Sequence, residues 1–294
     1  MSGSIGADRI LREDVKPTIE NFENLVLKKF QGYKKLEITG SYNAGTKKDH
    51  GDIDLCILID SDKDIKETKK EFKTYLENLS DDLTPKFRAG KNTGKKAQMY
   101  GNIVTCQFNI NNSKGIVQID NIIVLSEEEL NFQKSFLNLN AQTQTFMTAI
   151  VRVAQDNIKQ KAFSFFNIQN IPILNDNQEL EFVLSMSGLS LRKVTLDDNM
   201  KTIDKEEIWR TQNWDYVNLL VNETINMSPV DKTYEELLEQ ASIIFQNDER
   251  SRKRMCGIMK SMINIGPGEI GTPKGDAKEN GIKLAYLKLN VENN

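Results

Sequence analysis

The residues best suited to chemistry lie in one segment, Gly40-Ser41-Tyr42-Asn43-Ala44-Gly45-Thr46-Lys47-Lys48-Asp49-His50-Gly51-Asp52-Ile53-Asp54-Leu55. Asp52 and Asp54 stand one residue apart in an apolar run, so a strand would project both carboxylates from one face. Two anions held side by side repel unless a cation lies between them, and oxygen donors suit hard Mg²⁺. Upstream, Gly40-Ser41 leaves a short apolar stretch as a turn. Its backbone N–H groups and hydroxyl suit phosphate oxygens. A third acid, Asp120, interrupts the apolar run from Gly115 to Val124, where an unpartnered carboxylate is unexpected. Three carboxylates and a phosphate-holding turn are the parts of two-metal phosphoryl transfer, an in-line displacement on a nucleotide.

The rest of the composition narrows the choice. The chain has 294 residues, with 39 Lys+Arg against 42 Asp+Glu, one His, three Cys and a net charge of −3. No pair among Cys56, Cys106 and Cys256 has zinc-ligand spacing, and a single His50 excludes a two-His metal site. Any metal chemistry must therefore run on carboxylates. The near-balanced charge excludes a wholly basic surface but allows a local basic groove. No run of about 18 apolar residues is present. The start, Met1-Ser2-Gly3-Ser4-Ile5-Gly6, lacks the features of a signal peptide. A cytoplasmic protein with no membrane partner is expected.

The elements that must position the acids follow from periodicity. Val15, Ile19, Phe22, Leu25 and Val26 mark a helix over Asp14 to Phe30. Leu36 to Thr39 and Ile53 to Ile59 read as strands, with a turn-rich stretch between them, and residues 64–79 as an amphipathic helix. Thr84 to Arg88 is predicted as a strand and Gly90 to Lys96 as a basic loop. Ile103 to Ile110 and Ile116 to Leu125 are two further strands joined by a turn. Ser126-Glu127-Glu128-Glu129 has the form of a capping box. It opens a predominantly helical half to about Ile263, followed by a loop and a last strand over Ile282 to Val291. The layout predicts an α+β protein: residues 1–125 form a mixed sheet with flanking helices, and residues 126–294 form a mainly helical second domain.

With these elements in place, the motif segment resembles the signature of the DNA polymerase β-like nucleotidyltransferase superfamily: Gly-Ser, a short spacer, then Asp-apolar-Asp-apolar. Ten residues, 42 to 51, separate Ser41 from Asp52. Gly45-Thr46 is similar to the form in oligoadenylate-synthase-like and cyclic-oligonucleotide synthases, while the spacing also resembles poly(A)/poly(U) polymerases and CCA-adding enzymes. The stretch from Gly115 to Leu139 is faintly similar to bacteriophage-encoded relatives. Many cyclic-oligonucleotide synthases follow the third Asp with an apolar-Val-Pro run, but here Asn121-Ile122-Ile123-Val124 stands instead.

The resemblance implies a polymerase-β-like catalytic domain and a substrate- or nucleotide-binding second domain. It implies that Asp52 and Asp54 bind two Mg²⁺ ions, with Mn²⁺ as a substitute, that Asp120 completes one site as the base, and that Gly40 and Ser41 hold the NTP triphosphate. The acceptor stays open between an RNA 3′ end, a second nucleotide giving a linear or cyclic product, and no turnover in a nucleotide-binding or virion-associated protein. For an RNA backbone the candidates are Arg88, Lys91, Lys95 and Lys96 of the basic loop, and Arg252 and Arg254 of the densest basic cluster. Arg152 and Lys159 are candidates to point at the triphosphate, with a surface role favoured, and His50 is read as a loop residue. Trp209 and Trp214 are candidates to stack a base, with burial favoured, and the Phe146 to Val153 apolar set is read as core.

Overall fold

The computed structural model describes residues 6–43, 47–101, 103–197, 202–262 and 273–292, without the side chains of 273–278. The chain forms two compact units, Met1–Leu139 and Asn140–Asn294.

In the first unit, β1 (Ile10–Leu11) leads into α1 (Arg12–Leu25), β2 (Tyr33–Thr39), β3 (Asp49–His50), β4 (Asp52–Ile59) and α2 (Ile65–Asn78). β5 (Ala97–Tyr100), β6 (Ile103–Asn109), β7 (Ile116–Val124) and α3 (Glu127–Leu137) follow. Five strands make one mixed sheet in the order β2-β4-β7-β6-β5, in which only β4 and β7 run parallel. Alternation sorts its two faces. Ile53, Leu55, Ile57 and Ile59 of β4 join Val117, Ile119 and Ile123 of β7 in a core with Phe22 of α1 and Phe72 of α2. Phe22 meets Phe108 of β6 edge-on, ring centres 5.1 Å apart. The opposite face carries Asp52 and Asp54 and, further along β4, the buried Cys56 and Leu58. α3 packs against β2, β4 and β7, so the first unit continues to Leu139 instead of ending at residue 125.

Two local expectations differ from the structure here. Thr84 to Arg88 is not a strand, because Pro85 lacks the N–H that a ladder needs. The strand lies after the basic loop instead, as β5. Residues 44–46, with Gly45-Thr46, lie outside the described residues.

The second unit contains α4 (Ala141–Arg152), α5 (Asp156–Phe165), β8 (Gln178–Ser185), β9 (Gly188–Leu196) and β10 (Thr202–Thr211). It continues with α6 (Trp214–Ile225), α7 (Tyr234–Ile244), α8 (Glu249–Met262) and α9 (Pro273–Lys288). α4 packs on β8, α6, α7, α8 and α9, and Phe146, Met147, Ile150, Val151 and Val153 are buried around it as expected. Helices dominate, but the antiparallel sheet β10-β9-β8 was not anticipated. The charge-rich and mostly exposed β10 hides it from periodicity. The last predicted strand is helix α9 instead. Gly281, Ala285 and Leu289 are buried at four-residue spacing, and that period outweighs the local alternation. Among the described residues no helix is long and apolar enough to cross a membrane.

Phe22 is fully buried against Phe108, so Phe22→Ala should cost about 3–5 kcal/mol. Urea unfolding of the full chain, followed by a probe in the first unit, measures this. A loss below about 1 kcal/mol would show that the ring is not part of the packed core.

Candidate active site

Strand register assembles the site. Asp54 pairs with Asp120 across the parallel β4–β7 ladder, and Asp52 pairs with Gln118. Asp120 in turn faces Thr105 on β6, and Thr105 faces Gln98 on β5. On the other side Asp54 faces Thr39 on β2. One polar rung, Gln98–Thr105–Asp120–Asp54–Thr39, therefore crosses all five strands on the face away from the α1/α2 core. Sequence reading found its two acids and missed the others, because Thr and Gln in a strand carry no signal until the register is known.

The Asp120 carboxylate accepts from Thr105 Oγ1 at 2.7 Å and from Gln118 Nε2 at 3.0 Å to each oxygen. Burial still pushes Asp120 above the ordinary carboxylate range, and these two donors offset part of the shift. Asp54 is pushed up to about 7, first by burial and then by the charges of Asp52 and Asp120, with Lys47 opposing.

The Gly40–Tyr42 turn closes directly over Asp54. Gly40 has φ +70°, and a Cβ there would overlap the Asp54 carboxylate, so glycine is required on both counts. Asn43 fixes the turn by donating from Nδ2 to the Ile38 carbonyl at 2.6 Å and to Asn138 Oδ1 at 3.0 Å. Ser41 Oγ and His50 Nδ1 share a hydrogen bond at 3.1 Å. His50 is therefore not a loop residue. It lies in β3, only 2% exposed, and burial together with the Arg12 and Lys47 cations lowers its pKa and favours the neutral ring.

Asp52, Asp54 and Asp120 suit a divalent cation by donor chemistry and by charge, since each offers only hard oxygens and Asp54 carries the burden of their mutual repulsion. Among the described residues no group of three or more His, Cys, Asp or Glu side chains is arranged to hold an ion as it stands. The fit rests on donor type and charge alone.

The predicted basic residues divide. Lys91 and Lys95 are exposed, on a loop tied to the polar rung by Asn92 Nδ2 donating to Gln98 Oε1 at 2.6 Å. Arg88 faces Asp8 at 3.6 Å, and Lys96 pairs with Asp81 at 2.8 Å and bonds the Leu79 carbonyl. Arg252 and Arg254 form no open basic groove. Arg254 bonds Glu179 at 2.8 Å and Glu181 at 3.0 Å, and Arg252 donates to the Leu289 carbonyl at 2.9 Å. Glu181 is 4% exposed and also takes Arg152 at 3.0 Å, because a buried carboxylate needs its charge paired. Lys159 is buried and pairs with Asp156 at 3.0 Å.

A family model described as a nucleotidyltransferase domain matches residues 19–103, which include Gly40, Ser41, Asp52 and Asp54. The first unit is thus similar to a nucleotidyltransferase domain over those residues. The match lies within the first unit and spans the sheet strand that carries Asp52 and Asp54. No curated protein matches the chain. A solved structure of the Cid1 poly(U) polymerase, a mutant bound to MgATP, is similar at 13% identity and a TM-score of 0.31. That similarity covers 72% of this chain and 67% of that one, and at this distance it carries no argument about substrate.

The first unit should lose stability as pH rises while metal-free. Asp54 moves from 3.8 in the ordinary state to about 7 in the fold, so the native state holds an extra proton between about pH 4 and 7. Stability falls through that window, and the full cost, at most roughly 4 kcal/mol, is present above it. Asp54→Asn should be more stable than wild type at pH 8 and gain little at pH 4, measured by urea unfolding in chelator. Parallel pH profiles for the two proteins would contradict the assignment.

Proposed function

We propose that this protein transfers a nucleoside monophosphate from an NTP to a hydroxyl acceptor without a template, and that an RNA 3′ end is the acceptor. The observation that carries the reading is the register placing Asp54 beside Asp120, with the Gly40–Ser41 turn packed on Asp54. In this reading Gly40 and Ser41 bind the triphosphate, Asp52, Asp54 and Asp120 hold two Mg²⁺ ions, and the second unit binds the acceptor and the base. Mg²⁺, when bound, would offset phosphate charge and acidify the acceptor hydroxyl, and Mn²⁺ can substitute for it.

Asp120 accepts the proton of the acceptor hydroxyl. Thr105 and Gln118 hold the carboxylate in one orientation while this happens. The hydroxyl oxygen bonds the α-phosphorus, the bond from that phosphorus to the bridging oxygen breaks, and pyrophosphate leaves. Lys91 and Lys95, exposed on the loop tied to the polar rung, supply cations for an RNA backbone.

A second acceptor is favoured by one specific observation. Arg252 and Arg254 are spent on contacts within the second unit, and Arg88 and Lys96 face the exposed acids Asp8 and Asp81. The pairing of these four suits a small acceptor, a second nucleotide yielding a linear or cyclic product.

Incubating the protein with each α-labelled NTP and Mg²⁺, with and without RNA, separates these readings. Extension of RNA supports the first, and small phosphatase-resistant products without RNA support the second. Asp52→Ala, Asp54→Ala and Asp120→Ala should each lower turnover by about a thousandfold or more. Absence of any product from the wild type with all four NTPs would overturn the transferase reading.

A further inference from the structure

The matched domain begins at residue 19, yet the chain before it brings a cation to the phosphate-binding turn. We propose that Arg12 binds the terminal phosphates of the NTP, an assignment that rests on the transferase reading above.

Arg12 is fixed from two directions. β1 pairs with β3 in the register Ile10↔His50, and the Arg12 backbone N–H donates to the Lys48 carbonyl at 2.9 Å. Its guanidinium carbon lies 4.5 Å from the centre of the Tyr42 ring. That ring is 5.6 Å from the His50 ring, and His50 holds the Ser41 hydroxyl at 3.1 Å. Arg12, Tyr42, His50 and Ser41 therefore form one connected group beside the Gly40 turn.

This group is incomplete as it stands. Arg12 Nη1 and His50 Nε2 are both buried with no hydrogen-bond partner. Arg12 makes no ion pair among the described residues, whereas nearby Arg9 is matched to Asp49 at 2.7 Å. A buried guanidinium nitrogen without an acceptor is costly to keep. The fork geometry of Arg suits phosphate oxygens better than a point charge does. The triphosphate tail that Ser41 is proposed to hold is the anion that the reaction itself brings to this turn. Arg12 would keep contact with the same phosphates as they depart in pyrophosphate.

The test uses the full chain and inorganic tripolyphosphate as a probe independent of the base, alongside the four NTPs and their monophosphates. Arg12→Gln retains much of the stem over Tyr42 and removes the charge. It should weaken tripolyphosphate and NTP binding by about tenfold or more while leaving monophosphate affinity within about twofold, and Arg12→Lys should recover part of the loss. Unchanged tripolyphosphate affinity in Arg12→Gln overturns the assignment. An equal loss for monophosphate and tripolyphosphate also overturns it, since that is what a disturbed fold would give. Weakened binding of an RNA oligonucleotide with tripolyphosphate unaffected assigns the cation to the acceptor and overturns it too. Failure of the wild type to bind any NTP removes the transferase reading itself, a result distinct from all of these.

Discussion

The parallel pairing of β4 with β7 is the constraint on which the site depends. It sets Asp54 beside Asp120, and a slip of one residue would move the acids to the core face and the isoleucines to the polar one. The core side resists such a slip. Ile53, Leu55 and Ile57 interdigitate with Val117, Ile119 and Ile123 under α1 and α2. Hydrophobic burial on one face thus holds in place an electrostatically unfavourable arrangement on the other. The fold tolerates the buried acids by giving Asp120 two donors and by letting Asp54 titrate near 7.

How much of this was legible depended on whether a signal was local. Asp52 and Asp54 announce a shared face through spacing alone, and Gly40 announces a turn. The three central strands β4, β6 and β7 have long apolar runs that no helix period fits, so they too could be read directly. β5 is only four residues long and follows a lysine-rich loop, so its pairing with β6 supplies what its own composition does not. The β10-β9-β8 sheet was illegible for a related reason: β10 has no buried face to mark it. Gly281, Ala285 and Leu289 defeated the strand reading of the C-terminal segment because small residues at helical spacing leave a weak apolar stripe.

Charge misled where its partners were remote in sequence. Arg254 stands in a dense basic run, yet its partners Glu179 and Glu181 lie on β8, more than seventy residues away. Glu181 sits in an apolar strand, where its burial demands both Arg152 and Arg254. A basic cluster read along the chain is therefore one half of an internal ion-pair network read in space. The same holds for Lys96, whose short loop brings it to Asp81 and the Leu79 carbonyl.

Charge is used in two ways in this chain of net charge −3. In the second unit Arg is spent on acids that packing has already buried. Around the Ser41–Asp52 spacer the balance is reversed: Lys47 senses Asp54 and Arg9 senses Asp52, and Arg12 has no acid opposite it among the described residues. The carboxylates need positive charge and a triphosphate would need it as well. Strand β1, pairing with β3 in the middle of the spacer, is the device that puts basic side chains between the two. The short two-stranded sheet is small in area, but without it neither Arg9 nor Arg12 would have a fixed position relative to Ser41 and Asp52.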